Sequence, residues 1–139
     1  MKEKYTTNRN NIVYACRYLV AFCVKYKRKL LTEDIAERLS ELINESAEDT
    51  DIVELNVYPD HVEMLIDVDP QYGVNKAVKR IKAHTARVLR KEYPDLMKKV
   101  PTLWTDSYFI SAVGNPSRAD IEEYIDMQKN SQRQKDKMG

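Results

Sequence analysis

An α+β fold built on one antiparallel sheet is the class this 139-residue chain predicts, and three observations carry it. Residues 61–69 alternate: Val62, Met64, Ile66 and Val68 fall on one face, His61, Glu63, Leu65 and Asp67 on the other, which is the period of a half-buried strand. Two longer stretches instead repeat apolar residues every three or four positions, the period of a helix with one buried face. The segments follow one another as strand, helix, strand, strand, helix, strand, helix. The first six match a ferredoxin-like split βαβ: a four-stranded antiparallel sheet with two helices on one face, the opposite face open, and a further helix at the C-terminus.

Each element has its own warrant. Residues 1–11 are polar and read as loose. Residues 12–24 (Ile-Val-Tyr-Ala-Cys-Arg-Tyr-Leu-Val-Ala-Phe-Cys-Val) are rich in β-branched and aromatic side chains and predict a central strand. Thr32 is a helix N-cap, Glu33 and Asp34 suit the positive end of the helix dipole, and Ile35, Leu39, Leu42 and Ile43 form the inward stripe; this helix fades at 47–50. Residues 52–58 predict a strand with Val53, Leu55 and Val57 inward, turning at Pro59-Asp60 into 61–69. Val74, Ala77, Val78, Ile81, Thr85 and Val88 mark a second helix that ends before Pro94. The fourth strand is expected at about 107–113, Gly114-Asn-Pro116 stops it with Gly114 as a hinge, and Ser117 caps a third helix over about 118–132. The tail from Ser131 is polar and expected to fray.

Length bounds the chain to a single domain, 1–139, with a core of about 12–130 and a flexible tail of about 131–139. An apolar fraction of 42% supplies a core, and 32% charged residues with three Gly and five Pro argue against disorder outside the ends. No apolar run reaches bilayer length and no signal-peptide pattern opens the chain, so no membrane association and a cytoplasmic location are expected. Cys16 and Cys23 form no CxxC pair and read as buried thiols of a reducing compartment.

Net charge is +1, but it is unevenly laid out. Glu33 to Glu54 holds nine acidic residues and one basic; Lys76 to Lys99 holds nine basic and two acidic. Lys25, Lys27, Arg28 and Lys29 form a second basic cluster. With Lys79, Arg80, Lys82, Arg87 and Arg90 these are the candidate phosphate contacts of a nucleic-acid-binding surface; a solvated basic helix face is the alternative. Tyr72 and Trp104 are candidates for stacking unpaired bases, and Trp104 is equally a core residue.

The open sheet face is expected to carry His61 and Glu63, two residues apart and so on one side of their strand, ~7 Å apart at the backbone. Both can reach one metal ion, although His, Glu and Asp also hydrate exposed strands. On the third helix Tyr124 and Gln128, four apart, stack on one face with about 6 Å between β-carbons; in the plainer reading Tyr124 packs and Gln128 is solvated.

Pro59-Asp-His-Val-Glu-Met-Leu65, Val24-Lys-Tyr-Lys-Arg-Lys29, Leu103-Trp-Thr-Asp-Ser-Tyr-Phe-Ile-Ser-Ala-Val-Gly114 and Ile121-Glu-Glu-Tyr-Ile-Asp-Met-Gln128, in that fold and covering about residues 12–130, resemble the single-tyrosine HUH transposases of small bacterial and archaeal insertion sequences, including the REP-associated tyrosine transposases. The resemblance implies a DNA transposase and single-strand endonuclease that works as a homodimer on single-stranded DNA with subterminal hairpins. It implies Tyr124 as the nucleophile that forms a 5′-phosphotyrosine link, and His61, Glu63 and Gln128 as ligands of a divalent metal. In such dimers the tyrosine helix of one subunit can complete the site of the other, and Gly114 lies where that helix would pivot. The chain departs from the family at Glu63, where the motif's second histidine is expected. A carboxylate with Gln128 makes the donor set oxygen-rich, favouring Mg²⁺ or Mn²⁺. The alternative is a catalytically inactive or domesticated relative that holds DNA or RNA hairpins, and a third is a regulatory or structural α+β domain.

Overall fold

The structure, a computed structural model, describes residues 5–114 and 118–138, and the side chains of those up to Gln128. Its elements are β1 (Thr6–Thr7), β2 (Val13–Tyr14), β3 (Arg17–Cys23), α1 (Glu33–Ser46), β4 (Thr50–Val57), β5 (His61–Val68), α2 (Val74–Glu92), α3 (Leu96–Lys99), β6 (Phe109–Val113) and α4 (Arg118–Met138), with a 3₁₀ turn at Lys25–Lys27. Strands β4-β5-β3-β6 form one four-stranded antiparallel sheet in that order, the ferredoxin-like order expected from the sequence.

Alternation sets the two faces. Val62, Met64, Ile66 and Val68 from β5 and Val20 and Phe22 from β3 are buried in one core with Ile35, Leu39, Leu42 and Ile43 of α1 and Ala77, Val78, Ile81 and Leu89 of α2. Both helices therefore cover the same sheet face. Leu19, Phe109 and Val113 point the other way and are exposed. Cys23 sits opposite His61, and Ala21 opposite Glu63, in the β3–β5 register.

Three local expectations are corrected, and a fourth is extended. The strand expected over 12–24 is split: Val13–Tyr14 leaves the sheet to pair with Thr6–Thr7, so part of the N-terminal stretch expected to be loose is a ribbon. Asn8 holds it, its side-chain oxygen accepting from the Asn10 and Ile12 amides and its Nδ2 donating to Asp69 and Gln71. A register shift between Ile52 and Glu54 bulges β4, so Ile52 rather than Val53 joins Leu55 and Val57 against the core. Leu89, fully buried, extends the inward stripe of α2, and Val88 packs partly buried against the same core as expected. Helix α4 continues to Met138 through the expected tail. The Ser117 cap and the Asn115-Pro116 stop lie outside the described residues, as do residues 1–4.

Candidate active site

The β4–β5 turn builds the first half of the site. The Tyr58 amide donates to the His61 carbonyl at 2.9 Å, closing a tight turn that brings the Tyr58 ring parallel to the His61 imidazole, with centroids 4.5 Å apart and planes 10° apart. On the other edge of the imidazole, Nδ1 lies 2.6 Å from an Asp60 carboxylate oxygen. That contact holds the Asp60 carboxyl below its ordinary pKa, the hydrogen bond from His61 being the largest cause. An ionised carboxylate can only accept, so Nδ1 carries the hydrogen and a neutral imidazole presents Nε2 as a lone pair. Nε2 stands 3.4 Å from a Glu63 oxygen. Two donors that each bind one octahedral Mg²⁺ ion at about 2.1 Å and at right angles are ~3 Å apart, so the His61–Glu63 pair fits such an ion. A carboxylate on the remote nitrogen is the usual way a metal-binding histidine is oriented. The sequence marks Tyr58 and Asp60 only as parts of a turn; the available signal is a carboxylate directly before the first motif residue and an aromatic three positions before it.

Helix α4 builds the second half. Tyr124 and Gln128 line a cleft of about 500 Å³ with Asp120, Ile121, Glu123 and Met127 of α4 and Tyr5, Thr7 and Val13 of the N-terminal ribbon. Tyr124 is 45% exposed, so its phenol is reachable from solvent. His61 and Glu63 do not line this cleft. Among the described residues, no group of three or more His, Cys, Asp or Glu gathers as a metal site. One chain thus brings His61 and Glu63 together at the start of β5, and brings Tyr124 and Gln128 together in a cleft against the N-terminal ribbon, which Asn8 ties to Asp69 just beyond the other end of β5.

The basic candidates divide by helix face. Lys79, Lys82 and Arg90 line a groove of about 330 Å³ between α2 and residues 102–108, and Lys79 is shared with an adjoining groove lined by Tyr72, Asn75, Lys76 and Arg80. At the first groove the Lys82 ammonium donates to the carbonyls of Thr105, Asp106 and Ser107, and burial pushes its pKa down; it tethers the loop. Acidic residues meet this helix as well: Arg80, at the rim of the second groove, pairs with Glu48 at 3.4 Å and His84 lies 3.5 Å from Glu45, while Arg87 contacts His84. The acidic and basic stretches of the sequence therefore partly neutralise each other between α1 and α2. Lys25, Lys27, Arg28 and Lys29 surround the turn after β3, which is tied to the His61 turn through the Val24 amide on Asp60 and the Leu31 amide on Pro59. Trp104 is core: it is buried, packs edge-on against Phe22 and donates its indole N–H to the buried Thr85 hydroxyl at 3.0 Å.

Fold and site together define a small α+β domain with a His–carboxylate donor pair at the start of a sheet strand, a solvent-reachable tyrosine on its last helix, and a basic groove. The family model described as "Transposase IS200 like" matches residues 12–128. The ISDra2 transposase TnpA of Deinococcus radiodurans is 33% identical over 120 residues, 84% of this chain and 86% of that protein. The transposase for insertion sequence element IS200 of Salmonella typhimurium is 26% identical over 128 residues, 89% of this chain and 81% of that protein. Among solved structures, a Deinococcus radiodurans R1 protein assigned as a transposase superposes with TM-score 0.70 at 29% identity, covering 92% of this chain and 98% of its own. The fold is shared at TM-score 0.55 and 12% identity with a REP-associated tyrosine transposase bound to a REP hairpin, over 91% of this chain and 67% of that one. This chain belongs to the IS200-like transposase family, enzymes that act on DNA. No helix among its described residues is long and apolar enough to cross a membrane.

Proposed function

We propose that the chain cuts and rejoins single-stranded DNA at the ends of an insertion sequence through a phosphotyrosine on Tyr124. The observation that carries the reading is the His61–Glu63 pair: two donors 3.4 Å apart on a strand, one fixed in its tautomer by Asp60. His61, Glu63 and Gln128 would hold a divalent ion, Mg²⁺ or Mn²⁺, the ion's chemistry being to polarise and orient the scissile phosphate. The rest belongs to the chain. The Tyr124 oxygen attacks phosphorus, the bond to the 3′ oxygen breaks, and the 3′-hydroxyl leaves with the equivalent of the phenol's proton, giving a 5′-phosphotyrosine. A 3′-hydroxyl then attacks that ester, restoring the phenol and joining the strands without ATP, because each step exchanges one phosphate ester for another.

Tyr124 and Gln128 stand apart from His61 and Glu63 within a chain, which favours a homodimer in which α4 of one copy completes the site of the other. Gly114, at φ +81, joins β6 toward α4 in a conformation that few other residues adopt. The groove beside Lys79 and Arg90 and the Lys25–Lys29 turn would take phosphates of a hairpin stem and its single-stranded flank, contacts that give affinity and position rather than sequence choice.

The test is a labelled single-stranded oligonucleotide carrying an element end, incubated with the protein and Mg²⁺. A covalent adduct that survives denaturation, and is lost in Tyr124→Phe and with chelator, is expected. Hairpin binding with no adduct from the wild type would instead establish a cleavage-inactive hairpin-binding protein, the reading that Glu63 in place of a histidine otherwise favours.

A further inference from the structure

The turn that follows β3 contains an aromatic side chain with no use in the core. Tyr26 is 68% exposed, against 45% for Tyr124 and 41% for Tyr58. Its backbone is left-handed, φ +60 and ψ +19, and the next residue, Lys27, is left-handed too at φ +53. That region disfavours a bulky side chain. Surrounding bonds enforce it: the Lys25 amide donates to Leu103, the Lys27 amide to Val24, and the Val24 and Leu31 amides to Asp60 and Pro59. The turn is thereby clamped against the same Asp60 that orients His61. Lys25 Nζ lies 5.5 Å from the Tyr26 ring centroid, and Lys27, Arg28 and Lys29 follow in sequence.

We infer that Tyr26 is a stacking platform for an unpaired base of single-stranded DNA, next to the His61–Glu63 pair, with the flanking cations holding the backbone on either side of that base. This rests on the function proposed above and adds to it the residue that seats the strand. Each part has a physical reason. A solvent-exposed ring on a clamped backbone loses little freedom when a base lies on it. Every base has a π-face, so the contact is tolerant of sequence. Lysines beside the ring supply the positive charge toward phosphate that the stack lacks.

The experiment uses the full-length protein and a fluorescein-labelled 20-nucleotide single-stranded oligo(dT), with an otherwise identical strand of abasic nucleotides, read by anisotropy. Tyr26→Phe, which keeps the ring, binds oligo(dT) within about twofold of wild type; Tyr26→Ala binds about tenfold more weakly, the scale of one base–aromatic stack. On the abasic strand, wild type and Tyr26→Ala bind alike. Tyr26→Gly relieves the left-handed strain and melts a few degrees higher than wild type while binding as weakly as the alanine variant. A purely structural tyrosine gives the reverse: lower melting temperatures and unchanged affinity. Equal affinity of wild type and Tyr26→Ala for oligo(dT), or an equal difference between them on both strands, overturns the inference. The Tyr124 adduct is scored in parallel, so a wild type that forms adduct while Tyr26→Ala shows no affinity loss sinks this inference alone; a wild type that forms none sinks the proposed function and leaves the stacking result to stand or fall by itself.

Discussion

Thr85→Val separates the structural role of the loop before β6 from its surface chemistry. Thr85 is fully buried. Its hydroxyl donates within α2 to the Ile81 carbonyl at 2.8 Å and accepts the Trp104 indole N–H at 3.0 Å. Valine keeps the shape and removes the acceptor. The Ile81 carbonyl retains its helical partner, so the main loss is at the indole, whose N–H is left buried without an acceptor at a cost of about 1–3 kcal/mol. With an unfolding entropy of about 2.1 cal/mol/K per residue, a chain of 139 residues loses about 3–10 °C in melting temperature for that cost. Urea unfolding and a thermal melt read it directly, and a double-mutant cycle makes it specific: in a Trp104→Phe background there is no N–H to strand, so Thr85→Val there costs under about 0.5 kcal/mol. An equal cost in both backgrounds would refute the hydrogen-bond argument, and so would an unchanged melting temperature in the single variant.

Four further outcomes are expected. Glu63→Ala abolishes adduct formation but keeps hairpin affinity within about threefold, and Glu63→His retains adduct; a fully active alanine variant excludes Glu63 as a ligand. Asp60→Asn weakens Mn²⁺ affinity about 10- to 100-fold in calorimetry. Because the folded Asp60 pKa lies below its unfolded value, the stability that the His61 contact contributes is complete above the unfolded value and is lost as pH falls through the folded one, so the melting-temperature difference between wild type and Asp60→Asn should shrink in acid. Lys79→Ala with Arg90→Ala lowers the salt slope of hairpin binding by nearly 1 per residue, whereas Lys82→Ala lowers the melting temperature instead, since that ammonium holds the Thr105–Ser107 carbonyls. Mixing Tyr124→Phe with His61→Ala protein restores adduct to the mixture if the site is shared between copies; a mixture as inactive as its parts places the whole site in one chain.

Period-two and period-3.6 patterns made the sheet and its covering helices legible, because burial on one face constrains every residue of those elements. The errors fall where a second force decides. The apolar run at 12–15 has strand composition, but composition does not choose between the main sheet and the Asn8-anchored ribbon. Val53 keeps perfect alternation in sequence, and only the bulge against β5 hands its place to Ile52. The basic run on α2 is real, yet the sequence is silent on what packs beside it; Glu45 of α1 and Glu48 of the turn after it answer part of it. At the candidate site, His61 and Glu63 were legible because strand geometry alone puts them on one side. Tyr58 and Asp60 were not, since a ring stack and a tautomer depend on the closure of a turn rather than on spacing.

The separation of the two halves of the site is itself a physical argument about the proposed function. A divalent ion of the Mg²⁺ type is bound through about six ligands in near-octahedral order, most of them water or phosphate oxygen, with a few from protein. Two donors on β5 alone would hold such an ion weakly, and weak binding would suit a site completed only when substrate phosphate and a third side chain arrive. Carrying Gln128 on the same helix face as Tyr124 would couple those arrivals: the helix that delivers the nucleophile also delivers the ligand. A chain with α4 displaced would then hold neither full metal affinity nor an aligned phenol, so strand cleavage would await assembly on DNA instead of proceeding in the free protein.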